Sequence, residues 1–190
     1  MAIVLASASP RRRDLMNMLE VPGLKIIPAQ GEEIVPEHPE PEALVKALSA
    51  AKARQVAARC APEDIVIGAD TIVWVGDQVY GKPRSRAQAV EMLRRLSGTS
   101  HEVYTGLTLI RNGEETSEAE RSVVHFRTLT TREIEAYVDS GEPMDKAGAY
   151  GAQGKAALFV RAIEGDFFNV MGLPLCRLGQ MLKKQGVELL

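Results

Sequence analysis

Apolar positions along this chain fall into two rhythms. Short apolar runs such as "IVL" at residues 3–5 read as buried strands, and stretches with apolar residues every three or four positions, such as "SRAQAVEMLRRL", read as helices. The chain opens with a strand over 2–6, a Ser-rich turn, and a helix over 10–20 with Ser9 as N-cap and Pro10 at the first helical position. A strand over 24–28 leads to the acidic, proline-rich "GEEIVPEHPEPE", which has neither period, and then to an Ala-rich helix from about Glu42 to Arg59. "EDIVIGADTIVWVGDQVYGKP" predicts an apolar strand ending at Asp70, an extended continuation through Ile72 and Trp74, and a turn at Gly76-Asp77. The capping box Ser85-x-x-Gln88 starts a helix that reaches about Leu96. Two alternating segments meet at Asn112-Gly113, a hairpin signal. A second capping box, Thr130-x-x-Glu133, opens a helix ending near Ser140-Gly141; the Gly-rich "DKAGAYGAQG", a strand in "AALFVRAI" and a last helix from about Pro174 to Lys184 complete the chain. Alternating strands and helices with one hairpin between them predict a mixed α/β sheet. Without repeats or an evident linker, residues 1–190 read as one domain.

Composition changes this picture little. At 190 residues, 45% of them hydrophobic and 25% charged, the chain can bury a full core. No apolar run approaches the roughly 18 to 20 residues of a membrane span, and the N-terminus has no secretory pattern, so a cytosolic protein is expected. A net charge of −2 argues against a nucleic-acid coat, so any anion site is local. Cys60 and Cys176 have no C-x-x-C spacing and are expected to be core thiols.

Candidate chemistry gathers at predicted strand ends. Asp70 closes an apolar strand, where open α/β sheets collect ligands, although an aspartate there also serves as a turn cap. Glu32 and Glu33 follow an earlier strand, and carboxylates from two such loops suit Mg²⁺ bound together with phosphate oxygens. Lys52, Lys82 in "GKP" and Lys146 supply the complementary charge for a polyphosphate, and Gly148, Gly151 and Gly154 allow close backbone approach to a ligand. The P-loop, nucleophile-elbow and dinucleotide fingerprints are all missing, and His38, His101 and His125 lack metal-ligand spacing. The residues alone therefore lead to a Mg²⁺-dependent enzyme acting on a phosphorylated small molecule.

"LASASPRRRDLM", the "GEE" loop with "LSAAKA", "GADTIV", "GKP", "MLRRLSGTSHEVYTG", "GEPMDKAGAYGAQG" and "IEGDFFNVMGLPL", in that order, resemble the Maf proteins of the nucleoside triphosphate pyrophosphatase group nearly end to end. The resemblance implies hydrolysis between the α and β phosphates with Mg²⁺ or Mn²⁺. It also implies an elongated two-lobed α/β fold with a mixed twisted sheet and a central cleft, similar to inosine triphosphatases, and a homodimer without a stable nucleic-acid partner. Matched position by position, Asp70 is the catalytic aspartate and Glu33 its acidic metal partner. Lys52 and Lys82 lie at the phosphates, Ser7 and Ser9 in the turn around them, and Arg11, Thr71 and Gln153 at the positions of substrate choice.

Uracil and thymine present acceptor, donor and acceptor along their pairing edge, which an amide such as Gln153 matches with one donor and one acceptor. A sister subgroup acting on 7-methylguanosine triphosphate resembles this chain with glutamate in place of Gln153, so dTTP and UTP are the expected substrates, modified pyrimidine nucleotides included. The rival from another class is a division-arrest regulator using Arg11, Arg12 and Arg13 on nucleic acid or protein, with salt-dependent binding and no turnover. Those arginines occupy a helix start, where the macrodipole disfavours cations unless an anion is bound. Their angular spacing points them in different directions. With the resemblance placing Arg11 at substrate choice, Arg12 is the expected phosphate contact, Arg11 the expected reader of the base or its neighbourhood, and Arg13 is expected to be solvated.

Overall fold

The computed structural model describes residues 1–30 and 40–190. Among them are β1 (Ile3–Leu5), α1 (Pro10–Met18), β2 (Leu24–Ile26), α2 (Pro41–Ala57), β3 (Ile65–Val75), β4 (Gln78–Tyr80) and α3 (Arg86–Leu96). The second half supplies β5 (Ser100–Arg111), β6 (Glu114–Phe126), α4 (Thr131–Asp139), β7 (Val160–Glu164), α5 (Phe167–Met171) and α6 (Leu175–Lys184). The strands form a mixed sheet in the order β2-β1-β3-β5-β6-β7, with β4 paired to β3. This is the mixed α/β class read from the sequence.

The chain divides into two compact units. The first holds Met1–Asp70, Thr105–Glu120 and Gly172–Leu190, and the second holds Thr71–Tyr104 and Arg121–Met171. In the first, β1 pairs in parallel with β2 (Ile3↔Leu24) and with β3 (Ile3↔Ile65). Helix α2 lies on β3 and β5 backbone against backbone: a Cβ on Gly68 would stand 2.2 Å from Ser49 O, and one on Gly106 2.0 Å from Val45 O. Glycine in a strand interior loses packing, and here its bare Cα is what admits the helix. Val4, Ala6, Ala53, Val56 and Val66 fill the contact.

The second unit has its own core, including Val73, Leu93, Val124, Phe126, Tyr137, Tyr150 and Phe159. His101 is buried within it at 3% exposure, its Nε2 2.7 Å from Tyr150 Oη and its ring edge-on to Phe126. Among the described residues its Nδ1 has no hydrogen-bond partner, so an imidazolium would carry an unsatisfied N–H. Burial, with a smaller repulsion from His125, pushes the imidazole down to about 4. The unfolded chain takes up this proton near pH 6.5, so stability is complete above that pH and falls as pH drops toward 4. Over that window about 3 kcal/mol is lost, and urea unfolding at several pH values should show His101→Gln without this slope.

Sequence-derived boundaries differ from the structure in identifiable ways. Helices α1 and α2 end two residues early, at Met18 and Ala57. β3 continues unbroken through Asp70 to Val75. In "AALFVRAI", Lys155–Leu158 forms a 3₁₀ turn with local bonds such as Phe159 N–H to Ala156 O at 2.9 Å, and the strand starts at Val160. Ser85 caps α3, but Gln88 reaches back to the Arg84 N–H instead of completing the box. The Thr130–Glu133 box is complete, and Asn112 and Gly113 both take the positive φ of a tight hairpin turn. Of the two cysteines, Cys60, just beyond α2, is half-buried and packs against the core of the first unit, whereas Cys176 is on the exposed side of α6 and is not a core thiol.

Candidate active site

In the first unit the site starts from strand alternation. Gly68 and Asp70 are two residues apart on β3 and so share a face. Ser49 and Ala53 of α2 press on Gly68, and Lys52, on the same helical face as Ser49, extends to Asp70. Lys52 Nζ donates to Asp70 Oδ1, forming an ion pair with a carboxylate only 5% exposed. The helix is also anchored by hydroxyls. Ser49 Oγ donates to Lys46 O at 3.0 Å and lies 2.8 Å from Thr108 Oγ1, which is 2.8 Å from Ser117 Oγ. Pairing of β3 with β1 ends at Leu5↔Ile67, so Asp70 lies beyond the strand that flanks the start of β3.

The turn after β1 brings Ser7, Ser9 and Arg12 together. Ser9 caps α1 by accepting the Arg12 N–H at 3.5 Å, and Ser7 Oγ accepts the Ser9 N–H at 3.2 Å. Arg12 is buried to 9% exposure, its Nε donating to Gly172 O at 2.7 Å and its Nη1 to Ser7 Oγ at 3.3 Å. That carbonyl offsets the unfavourable position of a cation at a helix start. Arg11 is half-buried and Arg13 exposed, so the three arginines point in different directions, as their spacing predicted. The helix buries Leu15 and Met16, with Leu19 half-buried as its cap.

In the second unit Thr71 is half-buried on β3, and Lys82 is exposed on the loop after β4. The Gly148 N–H donates to Gly81 O at 3.1 Å and so ties that loop to the Gly-rich one. Gln153 is exposed on the Gly-rich loop. The glycines there serve the protein's own packing. A Cβ on Gly148 would meet Val73, one on Gly151 would meet Lys146, and one on Gly154 would meet Glu142. Lys146 is occupied locally, donating to Glu142 O at 2.7 Å and to Asp145 at 2.6 Å. These bonds brace the start of the Gly-rich loop.

Glu32, Glu33 and His38 lie outside the described residues. Among the described ones no three His, Cys, Asp or Glu side chains gather as a metal cluster. Two participants were missed in the sequence. Gly172 acts through its carbonyl, which no side-chain motif announces. Gly68, a glycine inside an apolar strand two residues before Asp70, carries the signal of a close backbone approach.

A family model described as Maf-like protein matches residues 2–185. A dTTP/UTP pyrophosphatase from Symbiobacterium thermophilum is 49% identical over 184 residues, spanning 97% of this chain and 94% of that protein. One of the same name from Moorella thermoacetica is 50% identical over 188 residues, spanning 98% and 96%. Among solved structures, the Ham1 protein of Staphylococcus aureus aligns over 97% of this chain and 100% of its own with TM-score 0.53 at 14% identity. A HAM1 protein from Coxiella burnetii gives TM-score 0.53 at 16% identity, over 97% of this chain and 99% of its own. These two structures share the fold.

Proposed function

The chain belongs to the Maf family, and we propose that it is a nucleoside triphosphate pyrophosphatase, converting dTTP and UTP to the monophosphate and pyrophosphate. The observation that carries this reading is the Lys52–Asp70 pair, a buried carboxylate and an ammonium held together by a helix packed directly on the strand. Relatives of about half-identical sequence bearing that activity support it.

Asp70 takes a proton from the water that attacks the α phosphorus, and the bond from that phosphorus to the bridging oxygen breaks to release pyrophosphate. Lys52 and Arg12 meet the developing phosphate charge, with Ser7 and Ser9 in the turn around it; Lys82 adds an exposed cation from its own loop. The Asp70 carboxylate suits a hard divalent cation bound together with phosphate oxygens, and the resemblance gives Glu33 as its acidic partner. Mg²⁺ or Mn²⁺ bound there would neutralise phosphate charge. Arg11, Thr71 and Gln153 select the base. The reading includes a homodimer, supported by the family resemblance, and a cytoplasmic location. Among the described residues no helix is long and apolar enough to cross a membrane.

Product analysis tests the reaction: dTTP with Mg²⁺ or Mn²⁺ should yield pyrophosphate, and orthophosphate alone would exclude it. Gln153→Glu tests the base reader. An acidic acceptor suits guanine N–H groups and loses the donor that a pyrimidine carbonyl needs, so the dTTP to 7-methyl-GTP ratio of kcat/KM should fall by about 100-fold. An unchanged ratio would remove Gln153 from substrate choice.

A further inference from the structure

The loop that presents Gln153 is fastened at both ends to one carboxylate. Glu142 Oε2 accepts the Lys155 N–H at 3.2 Å, and Glu142 Oε1 accepts the Tyr137 hydroxyl at 3.0 Å. The same hydroxyl accepts the Gly151 N–H at 3.2 Å. Gly151 and Lys155 are the residues two before and two after Gln153. The exposed amide therefore stands at the middle of a five-residue loop, one end held by Glu142 directly and the other through a buried phenol.

Sterics point the same way. A Cβ on Gly154 would stand 2.1 Å from Glu142 Oε1, so the backbone beside Gln153 rests against this carboxylate. Glu142 is itself supported. It follows Gly141, whose φ of 75° ends the α4 segment, and its backbone oxygen accepts Lys146 Nζ at 2.7 Å. Burial and the Glu142 charge push the Tyr137 phenol up, which keeps its proton available for donation. Neither Glu142 nor Tyr137 is among the residues assigned above to phosphate, metal or base.

We propose that Glu142 is a positioning residue for base selection, holding the 151–155 loop so that the Gln153 amide stands at a fixed place relative to the base. The proposal rests on the reading of Gln153 given above. Hydrogen bonds weaken steeply as their partners leave reach or alignment, so discrimination between uracil and cytosine by this amide requires a loop that does not shift. The loss of Glu142 then weakens recognition of the base more than it slows the chemical step.

The experiment compares Glu142→Ala, Glu142→Gln and Gln153→Ala in the full chain. It measures kcat and KM for dTTP, UTP and CTP, and hydrogen exchange at the Gly151 and Lys155 amides. For Glu142→Ala, KM for dTTP should rise about 10-fold with kcat changing less than about 3-fold, and the UTP over CTP preference should fall about 10-fold. Both amides should exchange faster. Glu142→Gln keeps one carbonyl acceptor and should recover part of the preference. It also decides the matter should the alanine variant not fold: wild-type preference and wild-type exchange in Glu142→Gln would overturn the proposal. So would a folded Glu142→Ala with unchanged preference, or one that loses kcat at constant KM. If Gln153→Ala lowers the preference while Glu142→Ala leaves it intact, this proposal alone falls. If Gln153→Ala leaves it intact, the reading of Gln153 falls and this proposal with it.

Discussion

Asp70→Asn is expected to reduce pyrophosphate release from dTTP by about 10³-fold or more, within the range lost when a general base is removed. The substitution preserves shape and leaves Lys52 an acceptor oxygen, but it removes the charge and the capacity to take a proton. The fold should survive. Lys52 retains 21% side-chain exposure, so its ammonium can turn to water, and a loss of about 1 to 3 kcal/mol is expected from weakening a pair whose carboxylate is buried. Paired measurements of product release and the urea midpoint check both halves, and an active Asp70→Asn protein would remove Asp70 from the reaction.

The second large effect falls on stability. Gly106→Ala places a Cβ 2.0 Å from Val45 O and 2.3 Å from Val45 C, and backbone atoms cannot move aside as a flexible side chain can. Overpacking against a helix backbone should cost about 3 kcal/mol or more, seen as a lowered urea midpoint or as insoluble protein. Gly68→Ala, with contacts of 2.2 Å to Ser49 O and 2.8 Å to Ala53 Cβ, should cost a similar amount. It carries a second consequence, because lifting α2 from β3 draws Lys52 away from Asp70, so the remaining folded protein should also lose turnover. Gly179→Ala is the control. Nothing lies within 4 Å of its Cβ on α6, so it should be neutral or stabilise by up to about 1 kcal/mol. Equal stability of all three variants would show that α2 does not rest on those glycines.

Most element types were legible because each has a local cause. Ser9, Ser85 and Thr130 do cap helices, since a side-chain oxygen three residues before an orphan N–H needs no tertiary help. Asn112-Gly113 makes its turn for the same local reason. The "AALFVRAI" start failed because an apolar run after a glycine loop does not reveal whether its backbone bonds are made locally or across a sheet. The expectation for Cys176 failed because residue type reports average burial, and the face of α6 on which it falls depends on what the helix covers.

By itself, then, the sequence determined the alternation of strands and helices, the caps and the hairpin, because spacing and side-chain chemistry are written in the residues, and it made Asp70, Lys52 and Arg12 candidates, with Gln153 added by the family resemblance. Tertiary structure decided how those residues are held. Lys52 reaches Asp70 because Gly68 lets a helix settle on a strand, Arg12 is anchored by the carbonyl of a glycine 160 residues away, and Gln153 sits on a loop clasped by Glu142. Each of these depends on a backbone atom or an absent Cβ meeting a distant partner, and such meetings leave no periodic trace in a chain read one residue at a time.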